Sequence, residues 1–187
     1  MIKKYDNFFL DRDGIINKIV RRKGQISSPW EFNQFSLLDE SKDFIKSLFA
    51  HKKNVFVITN QPDISRGNLK IDELNKMHSY LFNLYDFNEI LFCPHDDHDM
   101  CTCRKPKPGL ILSVMKKYNL EKEMCCMIGD SYKDVLAAQN AEINSFFYKT
   151  TYNSHQIDKF FDYKSKVYIF DNFNEPVSYT HLTLPTT

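Results

Sequence analysis

Six short apolar runs, residues 7–10, 54–59, 89–92, 124–128, 145–148 and 166–170, alternate along the chain with stretches of helical periodicity. Runs of this length, apolar at successive positions, suit strands buried on both faces of a parallel sheet. Between them, residues 40–51 place Phe44, Ile45, Leu48 and Phe49 on one stripe, and residues 71–85 do the same with Leu74, Met77, His78, Leu81 and Leu84. Residues 108–118 begin with a proline, which the first turn of a helix tolerates because its N–H would be unpaired anyway. A shorter helical stretch, 132–140, follows Gly129-Asp130-Ser131. The alternation predicts an α/β fold with a doubly wound, mostly parallel sheet. No repeat or linker divides it, so residues 1–177 are expected to form one domain. Residues 178–187 lack any Asp, Glu, Lys or Arg, unlike the rest of the chain, and are expected to be a non-native tail.

Loops that leave the carboxyl ends of parallel strands build the binding site in this architecture. The first apolar run ends in Asp11-Arg12-Asp13-Gly14. Two carboxylates two residues apart on a strand end point roughly the same way. Such a pair is unfavourable unless a cation joins it or one member is protonated, and hard oxygen ligands suit Mg²⁺. The second run ends in Thr59-Asn60-Gln61, a hydroxyl and two amides able to hold phosphate oxygens without charge. The basic segment Arg104-Lys105-Pro106-Lys107 leads into a helix, and Arg104 and Lys105 could neutralise a phosphate. Asp130 follows another apolar run and is the natural third oxygen ligand. Asp134, four residues on, is either an outer carboxylate of the metal site or a favourable charge in the first helical turn. Each segment alone also reads as an ordinary polar turn.

The five cysteines fall in two groups. Cys125 and Cys126 sit in an apolar run, where buried thiols are the default. Cys93, His95, Cys101 and Cys103 offer three thiolates and one imidazole, the donor set of a closed tetrahedral zinc site with a structural role. His98 is a less well spaced rival for His95.

Taken in order, the four strand-end segments resemble the haloacid dehalogenase superfamily of phosphohydrolases, over residues 7–147. The resemblance implies that Asp11 is the nucleophile that becomes an aspartyl phosphate, and that Asp13 is the general acid and base. It implies Mg²⁺ held by Asp11, the backbone carbonyl of Asp13 and Asp130, with Thr59 and Lys105 stabilising the transferring phosphoryl group. The cysteine-rich loop resembles the small branch without a cap domain. That branch holds heptose 1,7-bisphosphate phosphatases and histidinol-phosphate phosphatase domains. Ile64-Ser65-Arg66-Gly67 and Pro106-Lys107-Pro108-Gly109 favour the heptose enzymes. Substrate contacts are expected from Arg12, Asn60, Gln61, Arg66 and Arg104, with residues 21–30 as a covering loop. Pro62-Asp63 and Ser131 depart from the pattern and put the sugar in question.

The implied function is Mg²⁺-dependent removal of the C7 phosphate of a heptose 1,7-bisphosphate. The alternatives are a histidinol-phosphate phosphatase, a nucleic-acid 3′-phosphatase or a non-catalytic zinc-bearing module. A net charge of +1 argues against a nucleic-acid partner. No apolar stretch is long enough to span a membrane, and the N-terminus lacks a signal-peptide layout. The expectation is a cytoplasmic monomer acting on a small sugar phosphate.

Overall fold

The computed structural model describes residues 3–160 and 167–173. Its centre is a six-stranded sheet. In chain order the strands are β1 (Asn7–Leu10), β4 (Asn54–Asn60), β5 (Glu89–Cys93), β6 (Cys125–Gly129), β7 (Asn144–Tyr148) and β8 (Val167–Phe170). Two further strands, β2 (Val20–Arg22) and β3 (Gln25–Ser27), form a separate antiparallel hairpin. The sheet order is β5-β4-β1-β6-β7-β8, and every pairing is parallel. Each predicted apolar run is therefore a strand, with ends within a residue or so of expectation. Lys166, at the start of the last run, and the tail 178–187 lie outside the described residues.

The helices are α1 (Lys42–Ala50), α2 (Ile71–Leu84), α3 (Gly109–Tyr118) and α4 (Tyr132–Asn140). Strand side chains alternate between two cores. Phe8, Leu10, Val55, Val57, Cys126 and Ile128 pack with Phe44, Ile45 and Leu48 of α1 and with Leu81 of α2. Phe9, Phe56, Ile58, Cys125 and Met127 pack with Ile111 and Val114 of α3 and with Ala137 and Ala138 of α4. Burial on both faces explains why these strands carry uninterrupted apolar sequence. Cys125 and Cys126 are both buried within strand β6, as expected of core thiols.

From β1 the chain builds outward to β4 and β5, then returns to the other side of β1 to add β6, β7 and β8. That reversal puts a crevice at the carboxyl ends of β1, β4 and β6. The β2–β3 hairpin, with Trp30 behind it, stands over this crevice. The Arg22 guanidinium lies 3.9 Å from the Trp30 ring centroid and donates to Ser27 Oγ and the Ser28 carbonyl, both at 2.7 Å. Periodicity could not reveal this hairpin, because its strands are three residues long and polar. No helix among the described residues is long and apolar enough to cross a membrane.

Candidate active site

Asp11 is the first residue past β1, and its N–H still donates to the Ile128 carbonyl of β6 at 2.9 Å. Asp130 follows β6 directly. Asp134 is carried by the first turn of α4, where its carboxylate accepts from Ser131 N–H at 3.0 Å while Ser131 Oγ accepts from Lys133 N–H. This capping box fixes the helix start. Carboxylate oxygens of Asp11, Asp130 and Asp134 converge within 4.8 Å of one another. Two glycines make room for them. A Cβ on Gly14, whose φ is +85°, would lie 2.1 Å from Asp130 Oδ2, and one on Gly129 would lie 2.3 Å from the Asp134 Cβ.

Lys105 Nζ lies 2.8 Å from Asp11 Oδ1 and 2.6 Å from Asp134 Oδ1. It also donates to the Ile58 carbonyl at 2.8 Å. Burial opposes the charge on Lys105, yet the two carboxylates hold its pKa above the ordinary lysine value. One lysine does not balance three buried acids. Burial first, then the Asp134 charge, pushes the Asp11 carboxyl up to about 7. Asp130 is driven well above its ordinary value by burial and by the charges of Asp11 and Asp134. A hard divalent cation is the ligand that such an oxygen-rich, charge-deficient cluster fits.

Asp13 is gripped from three segments. Arg12 Nη2 lies 3.0 Å from both carboxylate oxygens. Asn17 Nδ2 donates to Oδ1 at 2.9 Å, and Gln61 Nε2 to Oδ2 at 2.7 Å. Gln61 Nε2 also lies 2.8 Å from Thr59 Oγ1. Asn60 uses its side chain on the Lys105 backbone, accepting from N–H at 3.0 Å and donating to the carbonyl at 2.9 Å.

The second cluster lies beyond β5. Sγ of Cys93 is 3.7 Å from that of Cys101 and 3.2 Å from that of Cys103. His95 Nδ1 is 3.5 Å from Cys93 Sγ and 3.3 Å from Cys103 Sγ. The four could hold one metal ion, and His98 is not part of the group. Burial, then the neighbouring Cys103, pushes the Cys93 thiol up to about 12. Cys101 goes the other way. Burial works against ionisation there, but the Arg104 backbone N–H and the other two thiols pull it down to about 7. Sulfurs this close need a cation before all can be thiolates.

Sequence comparisons place the chain among known proteins. A family model described as HAD-hyrolase-like matches residues 102–176. The chain is 37% identical over 147 residues to the D-glycero-beta-D-manno-heptose-1,7-bisphosphate 7-phosphatase of Helicobacter pylori (strain ATCC 700392 / 26695), covering 73% of this chain and 79% of that protein. The chain belongs to the haloacid dehalogenase-like phosphatases. The enzyme of the same name from Neisseria meningitidis serogroup A is 35% identical over 133 residues, 68% of each chain. In three dimensions the chain resembles D,D-heptose 1.7-bisphosphate phosphatase from B. bronchiseptica, crystallised with magnesium and phosphate. The TM-score is 0.78 at 23% identity, over 90% of this chain and 93% of that one.

Most residues singled out in the sequence of this phosphatase meet in one cavity of about 740 Å³. Asp11, Asp13, Thr59, Asn60, Lys105 and Asp130 line it, together with Arg66 and Arg104. Two expectations need correction. Arg12 and Gln61, expected to touch substrate, are fully buried and do not line the cavity. Their polar groups are turned inward on Asp13, and Gln61 also on Thr59, so they hold the site's residues instead. Arg66 and Arg104 reach the cavity already paired. Arg66 binds Asp96 through Nε and Nη2, both at 2.6 Å, and Arg104 Nε binds Asp97 at 2.8 Å.

Sequence reasoning missed Asn17, His78, Tyr152 and Asn153. Tyr152 Oη donates to Asp130 Oδ2 at 2.5 Å, and Asn153 Nδ2 donates to the Asp130 carbonyl at 2.7 Å. No local motif marks these two. A polar Tyr-Asn pair just after β7 was the only available signal.

Proposed function

We propose that the chain is the 7-phosphatase of a heptose 1,7-bisphosphate, working through an aspartyl phosphate on Asp11. The observation that carries this reading is the convergence of Asp11, Asp13, Thr59 and Lys105 on one cavity that Arg66, Arg104 and Lys133 also line. The two named relatives, similar over two thirds or more of their length, support the sugar bisphosphate as substrate.

In this reading a carboxylate oxygen of Asp11 attacks phosphorus. The Asp11 O–P bond forms as the P–O bond to C7 breaks. Asp13 gives its proton to the departing alkoxide, then takes one from the water that attacks the phosphoryl group and frees Asp11. Thr59 and Lys105 hold the equatorial oxygens in place during both transfers. Asp11, Asp130 and the Asp13 carbonyl would hold Mg²⁺, which would neutralise charge at the phosphoryl group. Asp134 keeps Lys105 and the start of α4 in position. Cys93, His95, Cys101 and Cys103 would hold Zn²⁺ in a structural role, since four protein ligands leave no open position. Such an ion would tie the loop that bears Arg104 and Lys105 to the end of β5.

Arg104 and Lys133, which line the same cavity, would take the non-reacting phosphate of the substrate. A guanidinium there can bind two phosphate oxygens at once. Phosphate release from heptose 1,7-bisphosphate in Mg²⁺ buffer tests the reading, with heptose 1-phosphate as the product expected. Inertness toward both anomers would remove it.

A further inference from the structure

Arg12 is among the largest fully buried side chains of the protein, and its surroundings define a chain of contacts that begins outside the cavity. Its Nη2 holds Asp13. Its Nη1 lies 3.2 Å from Nε2 of His78, a residue 66 positions away on α2. A guanidinium has no acceptor, so His78 Nε2 must accept, and the imidazole must be neutral with its proton on Nδ1. The environment enforces that state. Burial and the adjacent Arg12 charge bring the His78 pKa down to about 3. The ring is itself held, packed among the buried face of α2 (Leu74, Met77, Leu81) and tilted against Phe92 with centroids 5.8 Å apart.

We propose that His78 is a positioning residue for catalysis: as a fixed neutral acceptor it orients Arg12, and Arg12 in turn aims the Asp13 carboxyl at the leaving oxygen. The inference rests on the reading of Asp13 as general acid. The Phe35 ring, its centroid 5.9 Å from Arg12 Cζ, supports one face of the guanidinium but offers Nη1 no acceptor, so a group bound to Asp13 through Nη2 alone could still turn in its plane. A second, uncharged acceptor on its other nitrogen removes the freedom without competing for the charge. A carboxylate or a protonated imidazole at position 78 would not serve, the first because it would draw Arg12 off Asp13, the second because it cannot accept. The contact thus links the orientation of the acid to the packing of α2, far from the phosphate in sequence.

The test exploits the leaving group. Proton donation matters for an alkoxide and little for an acidic phenol. In kcat/KM, which reports the first phosphoryl transfer, His78→Leu should lose tenfold or more on a sugar phosphate but threefold or less on p-nitrophenyl phosphate. His78→Gln, whose amide oxygen can accept from Arg12, should restore most of the lost ratio. The ratio of the two rates does not depend on how much of a preparation is folded, so partial misfolding of the leucine variant leaves the comparison intact. Equal losses on both substrates, or a glutamine variant no better than leucine, would overturn the proposal. Asp13→Asn separates the two levels. If it shows the leaving-group dependence and His78→Leu does not, only the role of His78 falls. If Asp13→Asn shows none, the acid assignment falls and takes the inference with it.

Discussion

The phenol of Tyr152 donates to Asp130 Oδ2 at 2.5 Å, and this contact orients a carboxylate that converges with those of Asp11 and Asp134. Burial and the Asp130 charge raise the Tyr152 pKa above its ordinary value, so the hydroxyl keeps its proton as a donor. Hydrogen bonds to a metal-binding carboxylate set both its direction and its basicity. Tyr152→Phe should therefore weaken Mg²⁺ activation by about tenfold or more while leaving the maximal rate at saturating Mg²⁺ within a few-fold. A titration of activity against Mg²⁺ measures it, and an unchanged half-saturation point would show that the contact does not serve the metal.

Cys101→Ser removes one of four candidate ligands whose donor atoms lie within 4.8 Å of one another. Zinc content by metal analysis should fall from about one ion per chain to near zero. Thermal stability should drop, because metal binding energy at such a site is folding energy. A variant that keeps full zinc would refute this ligand set.

Arg104 is held in the cavity wall by an exposed partner, Asp97, whose side chain is 67% accessible. A phosphate is a better acceptor for the same guanidinium, so substrate can replace Asp97 at little cost. Arg104→Ala should raise KM for the bisphosphate by about tenfold or more, the scale of a charge-assisted hydrogen bond. kcat/KM for p-nitrophenyl phosphate, which has no second phosphate, should change by about threefold or less. Parallel losses on both substrates would place Arg104 in general site architecture rather than recognition.

His78 also leaves a mark on stability. Its pKa is about 3 in the folded chain against an ordinary 6.5. Between those values the unfolded chain binds a proton that the folded chain does not, so stability rises with pH across that window. The contribution is complete above pH 6.5 and is lost as the pH falls toward 3. Relative to His78→Gln, which has no titrating group there, the wild type should lose denaturant midpoint steadily from pH 6.5 to pH 4. The difference between the two should be flat from pH 7 to pH 8. A difference independent of pH throughout would show that the ring titrates normally.

The strands were legible because β1, β4 and β6 are apolar on both faces, and the site was legible because each ends in short polar segments. Asp11, Thr59 and Asp130 needed only those ends to be found, and Lys105 needed the basic segment that leads into α3. Arg12 and Gln61 were misread because a polar residue beside a catalytic one looks the same in sequence whether it faces the cavity or the core. Their inward turn is set by Asp13, whose carboxylate offers acceptors to both. His78 was read as part of an apolar stripe, and it does lie on the buried face of α2, among Leu74, Met77 and Leu81. Its partner is 66 residues away, and only packing brings the two together. Tyr152 is hidden for the same reason, across 22 residues from Asp130. The β2–β3 hairpin escaped notice because strands this short carry no usable period.

The most direct test of the account follows the phosphates of heptose 1,7-bisphosphate by ³¹P NMR in Mg²⁺ buffer, for each anomer, with histidinol phosphate in parallel and Asp11→Asn as the blank. The account predicts loss of the C7 ester signal, growth of inorganic phosphate, a retained C1 phosphate, and a folded but inactive Asp11→Asn. Faster release from histidinol phosphate, loss of the C1 phosphate first, or turnover by Asp11→Asn near the wild-type rate would contradict it.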